Sequence, residues 1–237
     1  MPEIKKVPKR FQPKGFEILY EDRDLIIGDK RPGFLSVAAK WNRETTVHAA
    51  LNQYIRKGSS RSRQCVYVVH RLDQDTSGVL VFAKSITAQL FLKDNWPTTK
   101  KIYYAIVHGH PEKKSGTITS FLSEDEDYRM HASVTPGEGK LAKTAYTVVK
   151  ESPKYSLLKI DLLTGRKNQI RVHLANLGHP VVGDVKYGRK AAERLALHAQ
   201  SITLTHPFNK KRLTVEAPIP DYFTELIGNF SHGQTKT

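Results

Sequence analysis

The sequence contains the stretch Cys65-Val-Tyr-Val-Val-His-Arg-Leu-Asp-Gln-Asp-Thr-Ser-Gly-Val-Leu-Val-Phe-Ala83, in which a short polar segment joins two apolar runs. The runs at 65–69 and 79–83 are rich in β-branched and aromatic residues, which is typical of buried strands. The segment between them, His70–Gly78, holds one arginine, two carboxylates and two hydroxyl groups. Strands on both sides should fix this loop firmly at the mouth of a sheet, as a catalytic group requires. Its residues are also favoured in turns, and composition alone favours a polar turn.

Working outward from this stretch, the pattern predicts more strands than helices. Apolar runs and alternation predict further strands at 16–20, 24–28, 102–107, 117–122, 144–149, 156–163, 195–204 and 212–216. Apolar residues at helical spacing predict helices at 46–55, 86–96, 169–177 and 222–227. Two segments are expected to be loops, at 57–63 and at 124–139. Because the strands come mostly in consecutive runs, we predict an α+β fold with a mixed, largely antiparallel central sheet flanked by helices and loops.

Composition and charge point to a partner that carries many negative charges. The 237 residues include 38 Lys and Arg against 23 Asp and Glu, a formal charge of +15. A positive field of this size attracts polyanions, of which nucleic acid is the commonest. We expect a basic N-terminal arm at 1–14, a catalytic domain at 15–230 and a polar tail at 231–237.

The single cysteine and the absence of long apolar stretches indicate a soluble protein of the reducing cytoplasm. Cys65 has no partner for an internal disulfide, and its position at the edge of an apolar run suits a small core residue better than a nucleophile. No apolar stretch approaches the length of a membrane span, and the N-terminus lacks a secretory signal. We therefore expect no membrane association.

A second stretch, Leu163–Leu174, places three cations around a predicted helix start, namely Arg166, Lys167 and Arg171. A helix N-terminus with arginine nearby suits an anionic partner or a carboxylate. The alternative is a solvated amphipathic helix, since its apolar members recur at helical spacing and need only face a core.

Several motifs together resemble one family. His70-Arg-Leu-Asp-x-x-Thr-Ser-Gly78 is similar to the active-site signature of the RluA-type pseudouridine synthase family, and Gly165–Leu174 to its C-terminal signature. Further similar motifs follow in family order from about residue 16 to about residue 220: Tyr20–Leu25, Lys30–Gly33, Lys100–Val107, Gly178–Asp184, Tyr187-Gly188, Leu197–Ala199 and His206-Pro207. The resemblance implies the pseudouridine synthase fold with an active-site cleft.

The resemblance also implies roles for individual residues. Asp73 matches the essential aspartate, Tyr103 the tyrosine that acts as general base, and Arg171 the arginine that pairs with the aspartate. Ile170 matches an apolar residue packed beside the target base, and Arg71 the arginine that helps displace that base from the RNA stack.

His70 and Thr76, from the same motif as Asp73, complete the expected substrate-binding set. The implied activity is isomerisation of specific uridines to pseudouridine in structured ribosomal or transfer RNA. This chemistry requires no metal and no cofactor, and nothing in the sequence demands more than a monomer. The pair His108-x-His110 is interpreted as a strand end, because no further ligand has suitable spacing. Tyr104 should point to the opposite face of its strand from Tyr103, which makes it the weaker candidate for the base.

The residues leave several alternatives open. Asp73 can attack C1′ as a nucleophile, as carboxylates do in retaining glycosidases, or act as a base in elimination to a glycal. A protein of the same fold that only binds RNA is a second hypothesis. A glycoside hydrolase using Asp73 and Asp75 is a third, although two carboxylates in one loop are poorly placed to flank a sugar.

The sequence departs from the family pattern at two places. Lys167-Asn168 stands where the family has Thr-His or Ser-His, which puts any role of that histidine in doubt. Few residues precede the expected catalytic region, so the basic arm and the loop 57–63 are candidates for contacts with RNA phosphates.

Overall fold

The computed structural model describes residues 12–38, 46–57, 59, 61–188 and 194–230. The strands are β1 (Phe16–Glu21), β2 (Leu25–Lys30), β3 (Tyr67–Val68), β4 (Ser77–Ala83), β5 (Lys100–His108), β6 (Ser115–Glu124), β7 (Met130–Ser133), β8 (Lys140–Glu151), β9 (Tyr155–Leu162), β10 (Leu197–Thr205) and β11 (Arg212–Glu216). The helices are α1 (Val47–Ile55), α2 (Ile86–Asp94), α3 (Gln169–Asn176) and α4 (Asp221–Ile227), with a short 3-10 helix at Trp96–Thr98.

The residues form two compact units. Unit 1 contains the chain up to residue 102 together with 198–218, and unit 2 contains 103–197 together with the chain from 219 onward. Each unit is therefore built from two separate segments of the chain.

In unit 1 the strands run in the order β1-β2-β4-β10, with β3 paired to β4 and β11 paired to β10. Strand β4 is buried along its whole length, because Val79 and Val81 join the core shared with α2 and Phe82 packs against Phe16 and His48. It pairs antiparallel with β2 and β3 but parallel with β10, where His198 and Ala199 lie opposite Ser77 and Gly78. A core of β-branched and leucine side chains from these strands and from α2 lies behind the sheet.

The helices of unit 1 start at side-chain caps. The Thr46 hydroxyl accepts the Ala49 N–H at 3.0 Å at the start of α1, and Ser85 accepts the Ala88 N–H at 3.1 Å at the start of α2. Each bond satisfies one of the backbone donors that a helix N-terminus leaves without an intrahelical partner. The N-cap of α1 is thus Thr46.

The strand predicted at 65–69 is wrong in length, since β3 covers Tyr67–Val68 alone. The Val66 N–H donates to Asn52 at 2.8 Å, and the Val66 carbonyl contacts the His48 ring at 2.9 Å. Side chains of α1 therefore occupy the backbone groups that a longer ladder would use.

In unit 2 the strands run in the order β5-β9-β8-β6-β7, and β6, β7, β8 and β9 pair antiparallel. Helix α3 packs on this sheet through Val172, which joins a small core with Leu122, Met130 and Ala142.

The single long loop predicted at 124–139 is also wrong, because β7 lies within it and pairs with the end of β6. The Asp125 carboxylate accepts the Arg129 N–H at 2.8 Å and reverses the chain, which brings Met130 into the core. A four-residue strand with one large apolar side chain carries too little alternation for the sequence to signal it.

The prediction of an α+β fold with mixed, largely antiparallel strands is confirmed. Within the described residues, no helix is both long and apolar enough to cross a membrane. Residues 1–11 of the expected arm and the whole expected tail lie outside the described residues, and the boundaries assigned to the catalytic domain stay a prediction.

Candidate active site

The loop that carries Asp73 is held through the backbone of the residues on either side of it. The Ser36 hydroxyl accepts the Leu72 N–H at 3.0 Å and donates to the Leu72 carbonyl at 2.8 Å. On the other side, the Gln74 carbonyl accepts the Gly33 N–H at 3.0 Å, and the Gln74 amide donates to the Gly33 carbonyl at 3.0 Å. Asp73 therefore lies between two fixed residues.

Lys30 provides the most buried support of this loop. Its side chain is 0 % exposed, and its ammonium donates to the carbonyls of Arg31 (3.0 Å), Phe34 (2.9 Å) and Gln74 (2.7 Å). These three bonds use all the donors that an ammonium has. Burial lowers the pKa of Lys30 to about 8, while the negative charges of Asp75 and Asp73 act in the opposite direction. The buried ammonium thus holds the backbone of Gln74, the residue that follows Asp73 in the loop.

His70 begins the loop as a neutral ring. Its Nε2 accepts the Val81 N–H at 3.1 Å, so the proton must lie on Nδ1. Burial, with the nearby charge of Lys101, lowers the pKa of His70 to about 3. The ring also packs against Trp96, with centroids 4.7 Å apart and the ring planes tilted by 33°. These contacts tie His70 to β4 and explain how the loop is held at its start.

The remaining motif residues differ in exposure. Arg71 and Asp75 are exposed, Asp73 is half-buried, and Thr76 is buried. The Thr76 N–H donates to the Asp73 carbonyl at 3.2 Å and closes a tight turn. The backbone of 73–76 is therefore a turn, as the composition predicted. The turn uses the Asp73 carbonyl, and the Asp73 side chain is half-buried.

Gly78 ends the motif for a steric reason. Its φ is +111°, a conformation that side chains disfavour, and a Cβ there would lie 2.2 Å from the Ala199 carbonyl oxygen of β10. Beside it, the Ser77 hydroxyl and His198 Nδ1 are 2.9 Å apart. The loop thus enters β4 through a point where only glycine allows β10 to approach.

In unit 2, β5 carries both candidate tyrosines. Tyr103 is 8 % exposed and Tyr104 is 5 % exposed, and successive side chains of a strand point to opposite faces. The Tyr104 ring packs edge-to-face on Phe230, with centroids 5.7 Å apart.

Helix α3 carries Ile170 and Arg171, and Gln169 anchors its start. The Gln169 amide oxygen accepts the Thr164 hydroxyl at 2.8 Å and the Arg166 N–H at 3.0 Å. Its nitrogen donates to the Lys143 carbonyl at 3.0 Å and to the Thr144 hydroxyl at 2.9 Å. All four hydrogen bonds that a side-chain amide can make are present, which fixes the first turn of α3 against β8.

His173, one turn further along α3, continues this network. Its Nδ1 is 2.9 Å from the Thr144 hydroxyl, and its Nε2 is 2.9 Å from the Ser120 hydroxyl. Burial lowers the pKa of His173 to about 4, so the ring is neutral near pH 7. The buried face of α3 is therefore held by neutral polar groups.

Arg171 forms a bidentate ion pair with Asp184. The Arg171 Nε donates to Asp184 Oδ2 and Nη2 to Oδ1, each at 2.8 Å, and the Asp184 side chain is 0 % exposed. Burial opposes the charge of Asp184, but hydrogen bonds from Arg171 and from the backbone of Lys186 and Tyr187 lower its pKa overall. Such paired hydrogen bonds orient a guanidinium in its plane. The predicted pairing of Arg171 with Asp73 stays a prediction.

Lys167 and Asn168, where the sequence departs from the family pattern, both make defined contacts. Lys167 pairs with Glu124 at the end of β6. Asn168 accepts the Tyr187 hydroxyl at 3.1 Å, and that hydroxyl accepts the Met130 N–H at 3.0 Å. The two residues therefore tie the start of α3 to the β6–β7 hairpin.

Comparison with known proteins agrees with the motifs. A family model described as RNA pseudouridylate synthase matches residues 24–176, which is more than half of the chain. The chain belongs to the RNA pseudouridylate synthase family. The resemblance stated from the motifs is confirmed, and with it the assignment as an RNA pseudouridine synthase, an isomerase.

The relatives of this pseudouridine synthase include proteins matched over most of their length. An uncharacterized RNA pseudouridine synthase of Mycoplasma pneumoniae is 35% identical over 96% of this chain and 75% of its own. The ribosomal large subunit pseudouridine synthase D of Escherichia coli is 34% identical over 92% of this chain and 72% of its own. Among solved structures, human RNA pseudouridylate synthase domain containing 4 has a TM-score of 0.71 at 23% identity, covering 87% of this chain and 90% of that one. This last likeness supports the fold.

One group of possible metal ligands occurs among the described residues of the synthase. Side-chain atoms of Asp22, Asp24 and His206 lie within 4.8 Å of one another. His206 Nε2 is 2.6 Å from Asp22 Oδ2, and Asp22 Oδ1 accepts the N–H groups of Asp24 and Leu25 at 2.8 Å each. These hydrogen bonds hold the turn between β1 and β2 and explain why the three side chains lie together. The absence of a metal stays a prediction.

The residues that sequence reasoning missed are the supports of the site. Lys30, Gln169, His173 and Asp184 lay inside motifs that carried the resemblance, but none was assigned a role. The available signal was a polar residue between apolar ones, as with His173 between Val172 and Leu174.

Proposed function

We propose that this RNA pseudouridine synthase isomerises uridines in structured ribosomal or transfer RNA, with Asp73 as the nucleophile. The observation that carries the proposal is the mounting of Asp73 between two fixed residues beside the buried Lys30 ammonium. A nucleophilic carboxylate must be ionised and must be held within a fraction of an ångström of its target.

In the proposed reaction, the target uridine is first flipped out of the RNA stack. An Asp73 oxygen forms a bond to C1′ while the C1′–N1 bond breaks, and the base leaves as an anion. The base turns, C5 bonds to C1′, and the Asp73 carboxylate is released. C5 then carries an extra proton, which a base removes, and N1 takes up a proton. Elimination to a glycal with Asp73 as base remains the alternative route to the same product.

Tyr103 is proposed as the base that removes the C5 proton. It lies on β5 and is buried, which suits a group that acts on a base enclosed by protein. Arg171 is proposed to pair with Asp73, and its ion pair with Asp184 supports this role because it orients the guanidinium. Ile170 is proposed to pack against the base, and Arg71 to help displace it.

His70 and Thr76 are proposed to contact substrate, although the contacts of His70 with Val81 and Trp96 support a role in holding the loop as well. The proposal also includes a cytoplasmic monomer that needs neither metal nor cofactor. The relatives named as ribosomal large subunit pseudouridine synthases make large-subunit ribosomal RNA the first substrate to test.

The test is release of tritium from RNA transcribed with 5-tritiated uridine, because C5 loses its hydrogen only when pseudouridine forms. We expect the wild-type chain to release label, and Asp73→Ala to lower the rate on the order of 10⁴-fold or more. Asp75→Ala is the matched control, since this exposed carboxylate lies two residues away in the same loop and should retain activity. Wild-type protein that binds ribosomal and transfer RNA but releases no label would favour the RNA-binding hypothesis instead.

Tyr103→Phe and Tyr104→Phe form a second matched pair, because both residues are buried on β5. Tritium release should stop in the first variant and continue in the second. The opposite result would move the role of the base to Tyr104.

A further inference from the structure

A cleft of about 990 Å³ opens on unit 1, between the end of β1, the end of α1 and the segment that leads into β3. Its lining contains four cations, one carboxylate, two tyrosines and two glutamines. None of these residues belongs to the loop 70–76, and only Lys57 and Arg63 were given a possible role above, as members of the loop 57–63.

The carboxylate in the cleft is already neutralised. Glu21 accepts the Tyr54 hydroxyl through one oxygen at 2.8 Å and the Lys84 ammonium through the other at 2.9 Å. The floor of the cleft is thus a closed set of hydrogen bonds and needs no further partner there.

The other three cations lie on the rim and are exposed: Arg23, Lys57 and Arg63. No ion pair involving Lys57 or Arg63 occurs in the described part of the chain, and Arg23, whose side chain is 72% exposed, reaches Asp24 at only 3.5 Å. Exposed cations that converge on a cleft and outnumber its carboxylates attract an anionic ligand.

The walls add a surface for unpaired bases. Tyr54 and Tyr67 line the cleft, together with the amide side chains of Gln53 and Gln64. Aromatic rings stack on bases that are free of a duplex, and amides can pair with base edges. A cleft with cations on its rim and aromatic rings on its walls combines the two features by which proteins bind single strands.

We propose that this cleft binds a single-stranded stretch of the RNA substrate, with phosphates on Arg23, Lys57 and Arg63 and a base against Tyr67. The proposal rests on the proposed function for the identity of the ligand as RNA. Tyr67 precedes Asp73 by six residues, so the chain allows at most about 20 Å between their Cα atoms. A strand with a base against Tyr67 would therefore lie within reach of the segment that carries the nucleophile, at no more than about 20 Å along the chain.

Cys65 gives a direct probe of this cleft. It is the single cysteine of the chain, it is free and partly exposed, and it belongs to the cleft lining. A thiol reagent therefore modifies the protein at this one position, and its rate reports whether the cleft is occupied.

The experiment measures alkylation of Cys65 in the full chain by N-ethylmaleimide, with and without a saturating single-stranded uridine-rich RNA oligonucleotide. Binding is followed separately by fluorescence anisotropy of the labelled oligonucleotide. We expect RNA to slow alkylation about tenfold or more, because the cleft is then open only in the unbound fraction. The same oligonucleotide annealed to its complement should protect Cys65 less. Bound RNA with unchanged alkylation would overturn the proposal, and equal protection by the duplex would overturn its single-strand part.

A pair of triple variants with equal loss of charge tests the rim. Arg23→Gln, Lys57→Gln and Arg63→Gln together should lower the slope of RNA affinity against salt by about 2 to 3, as expected for the loss of three phosphate contacts. The control combines Lys93→Gln, Lys211→Gln and Arg212→Gln, which are also exposed residues of unit 1, and should leave the slope unchanged. Equal slopes for the two triple variants would contradict the assignment of the rim.

The outcomes separate this proposal from the proposed function. Protection of Cys65 in a protein that releases no tritium would support the cleft and reject the catalytic proposal. Tritium release without protection of Cys65 would support the catalytic proposal and reject the binding of RNA in the cleft.

Discussion

The loop 70–76 and helix α3 each carry a residue to which we assign a catalytic role, but they are supported by different chemistry. In the loop, the backbone beside Asp73 is held by a buried cation, Lys30, and by a hydroxyl, Ser36. In α3, the side chains of Gln169 and His173 form a neutral hydrogen-bond network beside Arg171. Within itself the loop makes one backbone hydrogen bond, from the Thr76 N–H to the Asp73 carbonyl, so its other main-chain groups are the natural points of attachment. The helix satisfies its own backbone, so its attachment must come from side chains.

The two regions should therefore respond differently when a supporting side chain is removed. Loss of a support in the loop leaves buried main-chain carbonyls without a donor. Loss of a support in the helix leaves its secondary structure intact but frees its side chains to move.

The largest effect is expected for Asp184→Asn, which removes the charge that balances Arg171. A buried ion pair that loses one partner leaves the other charge uncompensated, and we expect the free energy of unfolding to fall by about 3 kcal/mol. Tritium release should fall as well, because the guanidinium loses its fixed orientation. Urea unfolding at pH 7 measures the first effect, and Asp127→Asn, at an exposed position, is the control. Equal stability of the two variants would remove the ion pair from the support of α3.

Lys30→Met is expected to have the next largest effect. The change keeps the length of the side chain but leaves the carbonyls of Arg31 and Phe34 without their buried donor, at a cost of about 2 kcal/mol. The Gln74 carbonyl loses the same donor, so the loop should also hold Asp73 less firmly. Tritium release should therefore fall even at a temperature where the variant is fully folded. Lys93→Met, at an exposed position, should change neither quantity. A folded Lys30→Met protein with wild-type activity would show that Ser36 and Gly33 hold the loop without it.

The neutral histidine of α3 predicts a dependence on acid. In the unfolded chain a histidine takes up a proton near pH 6.5, whereas burial lowers the pKa of His173 to about 4. The unfolded state therefore binds more protons between these values, and this contribution to stability is lost as the pH falls from 6.5 towards 4. We expect His173→Gln to remove about 1 to 2 kcal/mol of the change in unfolding free energy across this range. Parallel curves for the two proteins, measured by denaturant unfolding at each pH, would contradict the assignment.

The smallest effect, and the one of opposite sign, is expected at Asp29 beside Lys30. Burial, with the charge of Glu17 on the paired strand, raises the pKa of Asp29 to about 6. The folded state thus disfavours the carboxylate, and its cost is present above pH 6 and absent below about pH 4. Asp29→Asn should therefore raise the unfolding free energy by about 1 kcal/mol at pH 8 and leave it nearly unchanged at pH 4. Stabilisation of the same size at both pH values would point to a cause other than charge.

Helices and strands could be predicted from the sequence where apolar residues were dense. The prediction failed where hydrogen bonds of polar side chains set the length of an element. Strand β4 follows directly from an unbroken apolar run, and α1 from the helical spacing of its apolar residues. Strand β3 ends up shorter because Asn52 and His48, distant in sequence, take the backbone groups of Val66. Local patterns carry no information about such long-range competition.

In the candidate site, too, some residues could be identified from the sequence and others could not. The loop with Asp73 was identifiable because its chemistry is concentrated within nine residues and resembles a family signature. Its supports were not, because Lys30 and Ser36 lie far from it along the chain and look like surface residues by type. Their burial is a property of the folded chain, and a list of residue types does not contain it.

The parallel pairing of β10 with β4 has a consequence for the order of events during protein synthesis. Ser77, just after the loop of Asp73, contacts His198, which lies 121 residues later in the chain. A nascent chain leaving the ribosome must therefore carry an unfinished sheet edge while all the intervening residues are translated. Contacts of such long separation form slowly, and an unpaired edge can associate with other chains while it waits. Chaperones that cover exposed strand edges should therefore bind this protein mainly before its last strands emerge from the ribosome.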